Sequence, residues 1–257
     1  DMLSMQHIMT SMLNGYDTCE REYIAAVVFP DAIRAFTGER ELSHFEENPK
    51  TGDISWMRFP NYMSVDKAFM EEWKSKDFLC HLSNDIEKGV LGQKTHIEKY
   101  REINQLLNLN KPAMYKGIED HLKQDIVYDK YVRDYIGADR QAIFKDEDHA
   151  IYVAAYLIYK QRGILCNKEW LQNEIKPILE EQMPFLAENT FKYMHFTDSK
   201  YEKWVEDQDW SHLDEGPFPF EQYEKLYNDV SLFRRQGIDP TQEQSELAEN
   251  IHRRKGR

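Results

Sequence analysis

The sequence predicts an all-α protein, a multi-helix bundle with a metal cluster between its helices. Apolar residues recur at helical spacing in several stretches, and the period-two alternation typical of strands is almost absent. The phrase His-Leu-x-x-Asp-Ile occurs twice, at 81–86 and at 121–126. In both phrases the histidine and the aspartate are four residues apart, so on a helix their side chains lie on one face and can chelate a divalent metal.

Composition and charge narrow the classes of function. The 257 residues are 41% apolar and 31% charged, as in globular proteins, and no run is apolar enough to span a membrane. The net charge of −13 disfavours long nucleic acids and anionic membranes as partners. The three cysteines have no paired spacing, which favours a reducing, cytoplasmic location. The chain begins at Asp1, and removal of a preceding signal peptide stays open.

Two apolar helices are predicted at the start of the chain. The first, over residues 2–14, carries a methionine-rich stripe that favours a core position, and it includes His7. The second, over residues 23–36, contains Pro30, so either this helix kinks or a new helix begins with proline in its first turn. Asp31 follows an apolar run, where a lone carboxylate is costly unless it is paired or binds a metal.

The middle of the chain predicts a loop and then further helices. His44 precedes a stretch rich in turn residues, which predicts a loop or a small hairpin near residues 46–58. Ser64 is a candidate N-cap for the next helix. The first His-x-x-x-Asp pair lies in a predicted helix over residues 78–86.

The second half of the chain predicts more helices around an aromatic, acidic stretch. Residues 146–148 are all acidic and predict a solvated first turn that complements the helix dipole. Residues 1–140 are predicted to form a metal-binding core, and residues 141–257 a helical extension packed on it in one continuous globular unit. Helices are predicted over residues 114–137, 149–161, 167–183, 220–235 and 241–254, and residues 184–219 are interrupted by proline and glycine.

Seven residues combine metal-ligand chemistry with an apolar helical context. Imidazole and carboxylate ligands without thiolates suit zinc, manganese or iron, and so many ligands suit a cluster of two or three ions. Two metals about 3.5–4 Å apart can bind a phosphate oxygen and lower the pKa of a bridging water to about 7, which favours phosphoester hydrolysis. The seven candidates are His7, Asp31, His44, His81, Asp85, His121 and Asp125.

The order of these residues resembles the zinc-dependent phospholipase C family, whose relatives include single-strand-specific nucleases. Over about residues 5–130, the similarity is carried by His7, Phe-Pro-Asp31, Ser-His44-Phe and the two helical His-x-x-x-acid pairs. The resemblance implies an all-helical fold with a multinuclear zinc cluster and all seven candidates as ligands, with Asp125 in place of the family's glutamate. It also implies that Asp31 is both a metal ligand and a general base.

Three hypotheses about function follow. The first is a metal-dependent hydrolase of a small phosphodiester or of a phospholipid headgroup ester. The second is a non-enzymatic helical binding or adaptor protein with structural His/Asp pairs, in which the aromatic segment 184–235 forms the partner surface. The third, an HD-type phosphohydrolase, requires a histidine followed directly by aspartate, and the sequence has none.

Overall fold

The computed structural model describes residues 2–37, 112–128 and 140–228, which are largely helical and contain no β-strand. The predicted all-α class is therefore confirmed for these residues. A π-helical turn, Leu171–Ile175, joins the short helix Lys168–Trp170 to the helix Lys176–Gln182. The helices are α1 (Ser4–Leu13), α2 (Arg21–Thr37), α3 (Pro112–Tyr128), α4 (Arg140–Arg162), α5 (Lys168–Trp170), α6 (Lys176–Gln182), α7 (Pro184–Lys192), α8 (Ser199–Glu206) and α9 (Phe220–Asn228).

Several predictions fall outside the described residues. They include the hairpin near 46–58, the helix over 78–86 and the helix over 241–254. The candidate ligands His44, His81 and Asp85 also lie outside the described residues. The proposed division of the chain near residue 140 stays a prediction.

Helix α1 lies in the core and contacts α2, α3, α4 and α9. Its methionine stripe is buried, with Met5, Met9 and Met12 at most 2% exposed, as predicted. The same helix also buries the polar side chains of Gln6 and His7 completely. Since a buried polar group is costly without a partner, these two side chains indicate that α1 also makes polar contacts inside the core.

Helix α2 continues through Pro30 from Arg21 to Thr37, which decides between the two predicted alternatives in favour of one helix. The proline has no amide hydrogen, so it cannot make the usual helical bond to the carbonyl of Ala26. The apolar run before it, residues 24–29, is fully buried. Asp31 lies between this run and the buried Ala32 and Ile33, with its side chain 16% exposed.

Helices α2 and α3 pack together closely because α3 has a glycine at their contact. A Cβ atom on Gly117 would lie 2.5 Å from the Cβ atom of Ala26 and 2.8 Å from the carbonyl oxygen of Tyr23. Any side chain at this position would push the helices apart. One turn further along α3, His121 reaches the backbone carbonyl of Val27.

Helix α4 begins at Arg140, earlier than the predicted start at His149. The prediction of a solvated acidic turn at residues 146–148 is wrong, because all three acidic residues are at most 7% exposed. Two of them accept hydrogen bonds from distant segments. Asp146 accepts from the hydroxyls of Tyr128 and Tyr223, and Asp148 accepts from the backbone and hydroxyl of Thr197. Such partners satisfy buried carboxylates but leave no trace in local periodicity.

The segment after Pro184 contains α7 and α8, two helices that the sequence pattern did not predict. Its aromatic side chains pack largely inward against α4, and Tyr201 and Trp204 both contact the ring of Tyr152. Among the described residues, the exposed large hydrophobic side chains are Phe185 and Tyr193. This burial removes much of the aromatic surface on which the adaptor hypothesis relied. None of the described helices combines the length and the apolar character needed to cross a bilayer.

Candidate metal centre

Four of the seven predicted ligands meet where α1, α2 and α3 pack together. Nε2 of His7 lies 3.3 Å from Asp125 Oδ1 and 3.9 Å from Asp31 Oδ2. Nε2 of His121 lies 3.4 Å from Asp125 Oδ2 and 3.6 Å from Asp31 Oδ1. Each carboxylate therefore turns one oxygen toward each imidazole.

Helical geometry explains why His121 and Asp125 lie side by side. His121 and Asp125 are one turn apart on α3, as the His-x-x-x-Asp spacing predicts. His7 comes from α1, and its ring stacks on that of His121 with the ring centres 3.7 Å apart and the planes 21° from parallel. The two rings thus point their Nε2 atoms toward the same two carboxylates.

The second nitrogen of each ring is bonded to a protein oxygen. Nδ1 of His7 lies 2.8 Å from Oε1 of Gln124, and Nδ1 of His121 lies 2.6 Å from the carbonyl oxygen of Val27. Because a carbonyl oxygen only accepts, each Nδ1 carries the hydrogen, and each neutral ring has its lone pair on Nε2. Metal-binding histidines in proteins are commonly held in this way.

Hydrogen bonds from the start of the chain orient the two carboxylates. The backbone N–H of Met2 donates to Asp125 Oδ1 at 2.9 Å. The hydroxyl of Ser4 donates to Asp31 Oδ2 at 3.1 Å. Both carboxylates are therefore fixed by donors as well as by their own helices.

The cluster is buried except on one side. Both histidine side chains are fully buried and that of Asp125 is 7% exposed, whereas that of Asp31 is 16% exposed. Asp31 is therefore the most exposed of the four side chains.

The electrostatics of the cluster favour a positive charge. Burial by itself lowers the pKa of His121, but the carboxylates of Asp31 and Asp125 outweigh it and hold that pKa above its usual value. Burial by itself raises the pKa of Asp125, but His7 and His121 hold it well below its usual value. A proton or a metal ion among the four side chains therefore stabilises the two close carboxylates.

The distances fit metal coordination. Bonds of about 2.0–2.2 Å at tetrahedral angles place neighbouring ligand atoms about 3.3–3.6 Å apart. Three of the four contacts between imidazole and carboxylate, at 3.3, 3.4 and 3.6 Å, fall in this range. One donor atom from each of His7, His121 and Asp125 fits within 4.8 Å of the others. Nε2 of His7 is buried without a hydrogen-bond partner in the described part of the chain, as expected of a metal ligand.

Sequence reasoning missed the residues that support the ligands, namely Gln124, Gly117 and the carbonyl of Val27. One signal was present in the sequence. Among the α3 positions whose burial the structure describes, the buried ones recur at helical spacing and include several polar residues and a glycine. These buried positions are Gly117, Ile118, Asp120, His121, Gln124, Asp125 and Tyr128.

A separate cavity of about 490 Å³ lies beside α1 at Met5 and is lined mainly by apolar side chains from residues 166–205. None of the four clustered ligands lines it. Its cysteine, Cys166, is a poor metal ligand because burial raises the pKa of the thiol to about 12. The polar cluster is therefore the better candidate for chemistry.

Comparison of the chain with models of protein families, with curated proteins and with solved structures gives no match.

Proposed function

We propose that this protein is a metal-dependent phosphoester hydrolase with its metal at His7, Asp31, His121 and Asp125. The observation that carries the proposal is the convergence of two imidazole Nε2 atoms on two carboxylates. Both rings have Nδ1 bonded to a protein oxygen, so the atoms that converge are the ones able to bind a metal.

Zinc suits this donor set best, since it accepts imidazole nitrogen and carboxylate oxygen in tetrahedral geometry, and manganese or iron are alternatives. Each carboxylate offers one oxygen to each imidazole, so Asp31 and Asp125 would hold the metal together with His7 and His121. His44, His81 and Asp85 stay proposed as further ligands of a cluster of two or three ions.

Asp31 has two roles in the proposed reaction. As the most exposed of the four side chains, it meets the substrate and the attacking water, and it accepts the proton of that water as general base. The hydroxyl of Ser4 holds Asp31 Oδ2 during this step. Bound metal supplies a lowered pKa for the water and positive charge for the leaving oxygen.

The proposed substrate is a small phosphodiester or a phospholipid headgroup ester. Because the net charge of −13 repels long polyanions, a compact substrate fits better than a nucleic acid chain. The resemblance of the ligand order to zinc-dependent phospholipase C supports the same class of reaction.

The test is metal binding followed by turnover. Metal-free protein is titrated with zinc, and hydrolysis of bis(p-nitrophenyl) phosphate and p-nitrophenyl phosphorylcholine is measured. We expect His121→Ala to lose zinc binding and turnover while it keeps its helical circular dichroism. His195→Ala, which removes an exposed histidine outside the cluster, should match the wild type in both measurements.

The same experiment separates the hydrolase from the adaptor. If the wild type binds zinc but hydrolyses neither ester, and loses its fold when zinc is removed, the metal is structural and the adaptor hypothesis is favoured. Absence of zinc, manganese and iron binding by a folded wild type would show that protons alone neutralise the cluster, and the hydrolase proposal would be wrong.

A further inference from the structure

A chain of hydrogen bonds runs from the outer side of α3 to the ring of His7. It begins at Lys116, whose ammonium group donates to Oδ1 of Asp120 at 2.7 Å. The other oxygen of Asp120 accepts from the hydroxyl of Tyr23 at 2.6 Å. An ionised carboxylate only accepts hydrogen bonds, so Lys116 and Tyr23 must be the donors at this end of the hydrogen-bond chain.

The donors and acceptors further inside the protein follow from the hydroxyl of Tyr23. A tyrosine hydroxyl has one hydrogen, and that hydrogen lies on the bond to Asp120. In the 3.2 Å contact between the hydroxyls of Tyr23 and Ser11, Ser11 must therefore donate. The lone pairs of Ser11 are then left to accept from Nε2 of Gln124, which lies 2.9 Å away.

The amide of Gln124 is thereby held in one orientation. Its NH₂ group faces Ser11, and its Oε1 faces Nδ1 of His7 at 2.8 Å. A flipped amide would take the hydrogen of Ser11 for its own oxygen, and the hydroxyl oxygen of Tyr23 would lose its bond from Ser11. The side chains of Ser11, Gln124 and Asp120 are all at most 1% exposed, so water does not replace a lost bond at low cost.

We propose that Gln124 is a positioning residue, which keeps the hydrogen of His7 on Nδ1, and that Tyr23 and Asp120 hold Gln124 in the orientation this requires. The alternative tautomer would place a hydrogen on Nε2, 3.3 Å from Asp125, where it would pair with that carboxylate and occupy the metal-binding lone pair. The chain of hydrogen bonds excludes this alternative tautomer. The consequence for metal binding rests on the proposed metal centre, whereas the tautomer of His7 does not.

The first experiment examines the tautomer in metal-free protein. Long-range ¹H–¹⁵N spectra at alkaline pH distinguish a protonated from an unprotonated ring nitrogen, and a His7→Gln variant assigns the signals. We expect the wild type to carry its hydrogen on Nδ1 and Gln124→Leu to shift it to Nε2. Gln124→Glu, which keeps an acceptor toward His7, should retain the wild-type pattern. A hydrogen on Nε2 in the wild type would overturn the proposal.

The second experiment measures zinc affinity by competition with a chromophoric chelator, together with the visible spectrum of the cobalt-substituted protein. We expect Gln124→Leu to weaken zinc binding about 10- to 100-fold and to change the cobalt spectrum, and Gln124→Glu to restore both. Tyr23→Phe should weaken binding about tenfold. Its matched control is Tyr223→Phe, which also removes a buried tyrosine hydroxyl that donates to an aspartate. Tyr223 does not belong to the chain of hydrogen bonds that ends at His7.

The two experiments separate the two proposals. Wild-type protein that shows hydrogen on Nδ1 but binds no metal supports the role of Gln124 and refutes the metal centre. Zinc binding that is equally tight in the wild type, Gln124→Leu and Tyr23→Phe supports the metal centre and refutes the role of Gln124. A loss of affinity that Tyr223→Phe shares with Tyr23→Phe also refutes it, because the loss would then be general destabilisation.

Discussion

His121 is held between a backbone carbonyl on one side and two carboxylates on the other. Its Nδ1 donates to Val27, and its Nε2 faces Asp31 and Asp125. In the metal-free protein the carboxylates outweigh burial, and the pKa of His121 lies above 6.5. A proton and a metal ion would therefore compete for the same nitrogen.

This competition predicts a pH dependence of zinc binding. Below the pKa of His121 the ring must release a proton before Nε2 can bind, so the apparent Kd should rise by up to about tenfold for each unit of falling pH. Asp125, whose pKa is well below 3.8, stays ionised and adds nothing in this range. Competition titrations at several pH values, with proton release measured by calorimetry, check the effect. Zinc affinity that stays constant between about pH 8 and pH 5 would contradict the assignment of His121 as a ligand.

At the scale of single residues, the sequence was sufficient to identify candidate metal ligands but not the residues that hold them in place. His121 and Asp125 were recognisable from helical spacing, and Asp31 from its place after an apolar run. Gln124 and Val27 were not, because their partners lie 117 and 94 residues away along the chain. Which donor meets which acceptor across such separations depends on how the helices pack, and residue type alone does not encode it.

At the scale of elements, the contact between α2 and α3 sets the geometry of the site. Gly117 faces Ala26 and Tyr23 at distances that exclude a side chain, and His121 lies one turn beyond it. The separation of these two helices therefore decides whether His121 reaches both Val27 and Asp31.

We expect Gly117→Ala to destabilise the protein and to weaken zinc binding. The added methyl group would overpack rigid backbone, at a cost of about 1–3 kcal/mol, against a gain in helix propensity of about 1 kcal/mol. Denaturant unfolding and zinc titration measure the two effects. The double variant with Ala26→Gly relieves the 2.5 Å contact but not the contact with Tyr23, so recovery should be partial. A single variant that is more stable than the wild type would show that the helices separate easily.

Element boundaries show where local patterns fail. The sequence predicted α4 to begin after its acidic residues, because three adjacent acids are typical of a solvated turn. The structure instead buries them, with Asp146 between two tyrosine hydroxyls and Asp148 at the start of α8. Asn167, by contrast, caps α5 at the predicted start of the helix over 167–183 by accepting from Trp170 N–H, because an N-cap bond is made within its own turn.

At the scale of the whole molecule, the cluster joins two parts of the chain that are far apart in sequence. α1 and α2 supply His7 and Asp31, and α3 supplies His121 and Asp125 about ninety residues later. A metal ion at this place would cross-link three helices that otherwise meet through apolar packing and hydrogen bonds. Metal binding and folding should therefore be linked.

This linkage predicts that zinc stabilises the folded protein. Free zinc at one hundred times its Kd contributes about 2.7 kcal/mol to the free energy of unfolding, which for a chain of this size raises Tm by about 5–10 °C. Calorimetry of metal-free and zinc-loaded protein checks the shift, and His195→Ala should show the same shift as the wild type. His121→Ala should show little or none. Hydrogen exchange locates the effect: amides that exchange by global unfolding should gain protection throughout the protein, whereas amides that exchange by local opening should gain it mainly in α1, α2 and α3. A larger gain for locally opening amides in α8 and α9 would place the metal elsewhere.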